Sequence, residues 1–263
     1  MENRTRAQVI EMFHLLFLRA LTANRQDWFV LKGGANLRYF FDSPRYSNDI
    51  DLDFVGREAW QVGQTVDGVL GGHALKTIAR QALVDLAEIT APKQTDTTRR
   101  WKIGLVAPEY RDVIRTKIEF SGRDATSDDV TSGVVPDSIV VPYGLNSPMV
   151  RHYRESAAIE QKIAALALRG ETKARDVFDL ELLFRRRRAA GSARPNLSNE
   201  FSRQAASRAQ EISFNSFTTE VAPFLDADIA ALYGEAEWDL MQKSVATSLE
   251  KVTESVTEQT EPR

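Results

Sequence analysis

The stretch Asn48-Asp49-Ile50-Asp51-Leu52-Asp53-Phe54 constrains this chain more than any other. Its alternation of acid and hydrophobe has the period of a β-strand, which sends Asp49, Asp51 and Asp53 to one face and Ile50, Leu52 and Phe54 to the other. Neighbouring carboxylates on that face would stand roughly 6.6 Å apart, two residue rises. Repulsion at that spacing disfavours full ionisation unless water, a cation or basic groups compensate. The arrangement suits a divalent metal.

What precedes this strand sharpens the reading. Residues 28–31 form a short apolar run that ends at Gly33-Gly34 and leads into a helix expected over 35–41. Glycines at such a turn let backbone N–H groups approach phosphate oxygens, and a helix N-terminus favours an anion. Carboxylates opposite would hold the magnesium that bridges a triphosphate. A glycine pair alone means little: Gly71-Gly72 has no acidic strand after it and reads as a helix break.

Composition excludes several other chemistries. The 263 residues are 43% hydrophobic and 27% charged, enough for one large domain or two modest ones. The net charge of −3 gives no global basic field, so any nucleic-acid site must be a local patch. The chain has no cysteine, which removes disulfides, thiol catalysis and Cys-ligated zinc. His14, His73 and His152 lack metal-ligand spacing and read as surface or structural residues. Neither a signal peptide nor an apolar run long enough to span a membrane is present, so the chain is expected to be cytoplasmic.

Periodicity yields an α/β amino-terminal half and an all-helical remainder. Residues 6–23 are apolar around much of a helix, which implies cover on more than one side. Helices are expected over 57–70 and 73–88, an antiparallel strand pair over 101–106 and 112–121, and one strand near 138–141 in an otherwise loop-rich segment. Further helices are expected over 157–169, 174–188, 198–211 and 226–250, with a break at Pro195-Asn196. The polar residues from Val252 onward read as a frayed tail.

Two more blocks carry chemistry. In Arg115-Thr116-Lys117-Ile118-Glu119-Phe120-Ser121, strand alternation aims Glu119 toward Asp49 and Asp51. There it could complete a metal site, accept a proton from an attacking hydroxyl, or simply form a cross-strand ion pair. In the helical block, Lys162 borders an apolar stripe of Ile159, Ile163 and Leu166, while Asp176 and Asp179 share a face with Leu180 and Leu183. A charge on an apolar face must be paired, and Lys162 and Arg175 are the available partners. Either an ion pair pins the two helices, or Lys162 and Asp176 project into a cleft toward substrate. The run from Arg185 to Arg188 is either a solvated helix end or a contact for RNA phosphates.

Taken together, these blocks resemble the AbiEii-like nucleotidyltransferase toxins of type IV toxin–antitoxin systems, including the MenT-type enzymes. The resemblance runs through Lys32-Gly33-Gly34, Arg38, Arg45-Tyr46-Ser47, Asp49-Ile50-Asp51, Lys117 and Glu119. It continues through Glu160, Lys162, Arg175, Asp176, Asp179 and Leu180. It implies an α/β (α+β) fold: a polymerase-β-like nucleotidyltransferase domain with a mixed sheet, followed by an all-helical C-terminal domain. The nucleotidyltransferase core and its N-terminal helix would occupy 1–150, a helical domain contributing to the active-site cleft 151–251, and a disordered tail 252–263.

The resemblance also implies Mg2+-dependent transfer of a nucleoside monophosphate from an NTP to an acceptor, chiefly the 3′ end of tRNA, in a protein with a cognate antitoxin. Asp49 and Asp51 would bind magnesium, with Glu119 as a third catalytic carboxylate. Lys32, Gly33, Gly34 and Ser47 would bind the nucleotide, and Lys162 and Asp176 would act near the triphosphate. Asp53 exceeds the family pattern and reads as a peripheral charge. The alternatives are an NTP-binding regulatory protein without transfer activity and a nucleotidyltransferase that modifies a protein hydroxyl.

Overall fold

A computed structural model of the protein describes residues 3–23, 27–123, 126–190 and 199–257. It divides into two compact units, one of Met1–Asp42 with Tyr46–Arg154 and one of Ser43–Arg45 with Glu155–Arg263.

The first unit is built on one mixed sheet. Its described strands are β1 (Phe29–Lys32), β2 (Asp49–Phe54), β3 (Asp85–Gln94), β4 (Thr98–Val106), β5 (Ile114–Gly122), β6 (Val130–Val134) and β7 (Met149–Tyr153). Their order across the sheet is β3-β4-β5-β2-β1-β7-β6. The pairs β2/β5 and β1/β7 are parallel and the other pairs antiparallel. The helices of this unit are α1 (Arg6–Thr22), α2 (Gly33–Phe40), α3 (Ala59–Gly71), α4 (His73–Gln81) and the single turn α5 (Asp137–Val140).

Alternation in β2 and β5 separates a dry face from a polar one. Ile50, Leu52, Ile118 and Phe120 join Trp101, Ile103 and Leu105 of β4 in one buried cluster with Phe13, Phe17, Val62, Val66 and Leu70. Burying each large side chain of this kind contributes about 1.5–3 kcal/mol. Helix α1 starts at a capping box of Thr5 and Gln8 and is buried on nearly every side. Two of its polar residues, Glu11 and His14, are internal, and each has a partner. Glu11 accepts from Arg38 Nε at 2.9 Å and from the Tyr143 hydroxyl at 2.7 Å. His14 Nε2 lies 2.8 Å from Thr116 Oγ1, and burial lowers its pKa to about 3. His152 stacks on Phe40 with ring centroids 3.6 Å apart, and its pKa is lowered to about 4, chiefly by burial. Both histidines are therefore neutral structural groups at neutral pH.

The second unit contains α6 (Glu155–Leu168), α7 (Ala174–Ala190), α8 (Asn199–Gln210), α9 (Phe214–Glu220), α10 (Ala227–Ala230) and α11 (Glu235–Thr257). Ile159, Ile163, Leu166, Val177, Leu180, Leu183, Phe217 and Trp238 are buried in it. Trp238 Nε1 donates to the Ile212 carbonyl at 2.9 Å, so the indole is buried with its polar atom satisfied.

Several expectations are corrected. The helix expected over 73–88 ends at Gln81, Leu83 takes a positive φ of 57°, and strand β3 begins at Asp85. Residues 138–141 are helical, and the strands of that segment are β6 and β7 on either side. The helix expected over 226–250 is interrupted between α10 and α11. Helix α11 continues to Thr257, past the expected fraying point at Val252. Residues 258–263 and the Pro195-Asn196 break lie outside the described residues.

Candidate active site

Strand β2 lies between β1 and β5, and its register assembles charge in rows on the polar face of the sheet. One row crosses four strands: Lys32 opposite Asp51, Asp51 opposite Glu119, and Glu119 opposite Arg100. The row beside it runs from Asp49 to Lys117 to Lys102. Directly paired residues share a face, so the alternation read from the sequence brings Glu119 beside Asp51.

Lys117 is the electrostatic centre of this group. Its Nζ is 3.3 Å from Asp49 Oδ2, 3.8 Å from Asp51 Oδ1 and 3.6 Å from Glu119 Oε2. Burial alone would lower the Lys117 pKa, but the charges of Asp51, Asp49 and Glu119 overcome it and raise the pKa. Asp51 moves upward: burial raises its pKa most, Lys117 opposes, and Asp49 adds to the rise. Glu119 moves down. Burial pushes it up, but the Arg100 hydrogen bond at 2.5 Å and the charges of Lys117 and Arg100 hold it below its ordinary value. Arg100 falls outside the strand expected over 101–106, whereas β4 begins at Thr98.

The glycine pair opens α2 immediately after β1. Gly33 has a φ of +67°, and a Cβ there would stand 3.3 Å from Asp51 Oδ2. No side chain caps this helix N-terminus, where Lys32 is the N-cap residue. The first N–H groups of the helix therefore begin beside an acidic residue without a side-chain acceptor of their own. Ser47 reaches a different group: its Oγ donates to the Asp49 carbonyl at 2.8 Å, fixing the entry into β2.

Asp53 departs from what was expected of it, and Lys32 is drawn to it. Asp53 is fully buried rather than peripheral. It is ion-paired to Lys32 and accepts from the Tyr153 hydroxyl at 2.8 Å. The third aspartate of the strand is thus a structural anchor joining β2, β1 and the end of β7, and Lys32 is engaged with it. Burial and Asp53 together raise the Tyr153 pKa, so the phenol stays protonated and donates.

Within the second unit, Lys162 and Asp176 meet in a buried ion cluster. Lys162 Nζ lies 2.9 Å from Asp176 Oδ1 and 2.6 Å from Asp179 Oδ2. Arg45 donates to both carboxylate oxygens of Asp179, at 3.1 and 2.9 Å, and Arg169 reaches Asp176 Oδ2 at 2.8 Å. Both aspartates are buried. Burial alone would raise the pKa of Asp179, and the charges of Arg45 and Lys162 turn the shift downward. Arg175, expected as a partner, is exposed; Arg169 and Arg45 take that part.

Among the described residues, no three His, Cys, Asp or Glu side chains are gathered so as to hold a metal ion. The expected set of Asp49, Asp51 and Glu119 surrounds an ammonium instead, with Glu119 drawn to Arg100. Asp49 and Asp51 nevertheless offer hard oxygen ligands that converge on one cation, Lys117. That donor chemistry fits magnesium.

The model of the nucleotidyl transferase AbiEii toxin family, type IV toxin–antitoxin system, matches residues 15–258. The chain belongs to the AbiEii family. It is therefore a nucleotidyltransferase of a toxin–antitoxin system, and membership implies an antitoxin partner. The AbiEii chain is similar in fold to a candidate nucleotidyltransferase from Helicobacter pylori, with a TM-score of 0.64 and 20% identity over 97% of this chain and 99% of that one. It is also similar to JHP933 from Helicobacter pylori, with a TM-score of 0.59 and 21% identity over 97% of each chain. Comparison with curated proteins finds no match. Among its described residues, no helix is long and apolar enough to cross a membrane.

Proposed function

We propose that this AbiEii-family chain transfers a nucleoside monophosphate from an NTP to the 3′ end of a tRNA, with magnesium held by Asp49 and Asp51. The observation that carries the reading is the meeting of Gly33 and Asp51, which sets a helix N-terminus suited to phosphate beside carboxylates suited to a divalent cation. When bound, magnesium would supply charge neutralisation for the phosphates and the leaving pyrophosphate. The first N–H groups of α2 would orient the triphosphate. Lys117 would hold Asp49 and Asp51 in place and add positive charge beside the reacting phosphate. Glu119 is a weak base, because Arg100 and Lys117 stabilise its ionised form, so its part is electrostatic.

The test is incubation of the purified protein with each α-labelled NTP, magnesium and total cellular RNA. Label should enter the tRNA fraction from at least one nucleotide and should be lost on chelation. Label found on protein would favour transfer to a hydroxyl side chain. Nucleotide binding without transfer would favour a regulatory role.

A further inference from the structure

The polar face of the sheet continues beyond the carboxylates, and its charge changes sign. Across β4 and β5, Lys102 is paired in register with Lys117. Like charges placed directly opposite destabilise a strand pair. Lys117 is compensated by three carboxylates. Lys102 is exposed, and among the described residues it has no acidic partner within ion-pair distance. On the edge strand β3, Lys93 is paired in register with Arg100. It too is exposed and has no such partner among the described residues. The acids of this face on β3 are both taken: Asp85 by Arg80 at 2.7 Å, and Glu88 by Arg115 at 2.8 Å across the position where Gly104 has no side chain.

We infer that Lys102 and Lys93 form an anion track that holds the sugar–phosphate backbone of the acceptor RNA as it approaches Asp49 and Asp51. The inference rests on the proposed transfer to RNA and adds the surface that would guide it. The physical argument is one of spacing and unmet charge. Lys93 and Lys102 lie on neighbouring strands, about 4.8 Å apart across the sheet and about 6.6 Å apart along it, so their positions are roughly 8 Å from one another. One sugar–phosphate backbone can reach both positions, and lysines that neutralise its phosphates release counterions. The track starts one strand away from Lys117, outside the carboxylate group itself. A nucleotide triphosphate bound at α2 would leave it free for a second, longer anion.

The test compares the wild type with the double variant Lys93→Gln/Lys102→Gln, using fluorescently labelled bulk tRNA in a salt series and NTP titration alongside. Both lysines are exposed, so the melting temperature should hold. Affinity for tRNA should fall about tenfold, and the slope of log affinity against log salt should become shallower by about 1–2. The KM for NTP should not change, while the KM for tRNA should rise. A charge-matched control, Arg19→Gln/Lys76→Gln on α1 and α4, should bind tRNA like the wild type. Unchanged tRNA affinity in the track variant, an equal loss in the control, or a loss confined to NTP binding would each overturn the track while leaving the transfer reaction standing. A wild type that labels no RNA would overturn the transfer reading and the track with it.

Discussion

Gly33 and Asp51 approach so closely that a single added carbon would bring them into contact: a Cβ on Gly33 stands 3.3 Å from Asp51 Oδ2, on a backbone with a φ of +67°. Two independent conditions therefore demand glycine here, the left-handed backbone and the space beside the carboxylate. Replacing Gly33 with alanine should cost about 1–2 kcal/mol through the backbone and should also displace Asp51. The expected outcome is a modest fall in melting temperature with at least a tenfold loss of transfer. A variant with normal transfer would show that the glycine serves the turn and not the site.

Asp49→Ala and Asp51→Ala should each reduce transfer by several orders of magnitude without unfolding the protein, since each removes one carboxylate from a repelling set. Asp51 allows a finer test. Its folded pKa is raised above the ordinary value of 3.8, first by burial. The unfolded chain then loses this proton at lower pH than the folded one, so stability falls as pH rises from the ordinary value through the raised one. Asp51→Asn removes that loss. Its melting temperature should match the wild type near pH 3 and exceed it at pH 7, a crossover that thermal melts at several pH values would reveal.

The sequence made strand β2 legible because alternation is a local property. Three acids at every second position need no knowledge of the rest of the fold, and Glu119 was placed beside Asp51 by the same rule. The fate of Asp53 was not local. It depends on Lys32 from β1 and on Tyr153, a hundred residues away in sequence. No spacing rule can connect a buried carboxylate to a phenol at that separation. Strand β3 was hidden for another reason: nearly all of it is exposed, so it carries no apolar stripe, and its ladder with β4 is what makes it a strand. In the helical unit, the need for partners at Asp176 and Asp179 was visible. Arg45 was not, because it reaches Asp179 across 134 positions of sequence.

The arginine run at the end of α7 is partly committed to the protein itself. Arg186 Nε lies 3.4 Å from Glu155, and Arg188 lies 3.0 Å from Glu181. Cations also suit a helix C-terminus. Replacing Arg186 and Arg187 with alanine should therefore leave tRNA affinity and its salt slope close to those of the wild type. A shallower slope by about 1–2 would show that the run neutralises phosphates after all. Fluorescence titration over a salt series decides between the two.

The ion cluster of the helical unit makes the sharpest stability prediction. Asp179 is buried against Arg45 and Lys162, and Asp176 against Lys162 and Arg169. Removing one member leaves a desolvated charge behind, at a cost of roughly 3–5 kcal/mol. Asp179→Ala and Lys162→Ala should therefore lower the melting temperature strongly, whatever they do to transfer. The sign of the pH effect follows from the depressed pKa of Asp179, where Arg45 and Lys162 outweigh burial. Its contribution is present above the ordinary aspartate value of 3.8 and is lost as pH falls through the lower folded value. Asp179→Asn should consequently differ most from the wild type at neutral pH and converge with it in acid. Loss of transfer with an unchanged melting temperature would instead mean that the cluster serves the reaction and not the packing of α6 against α7.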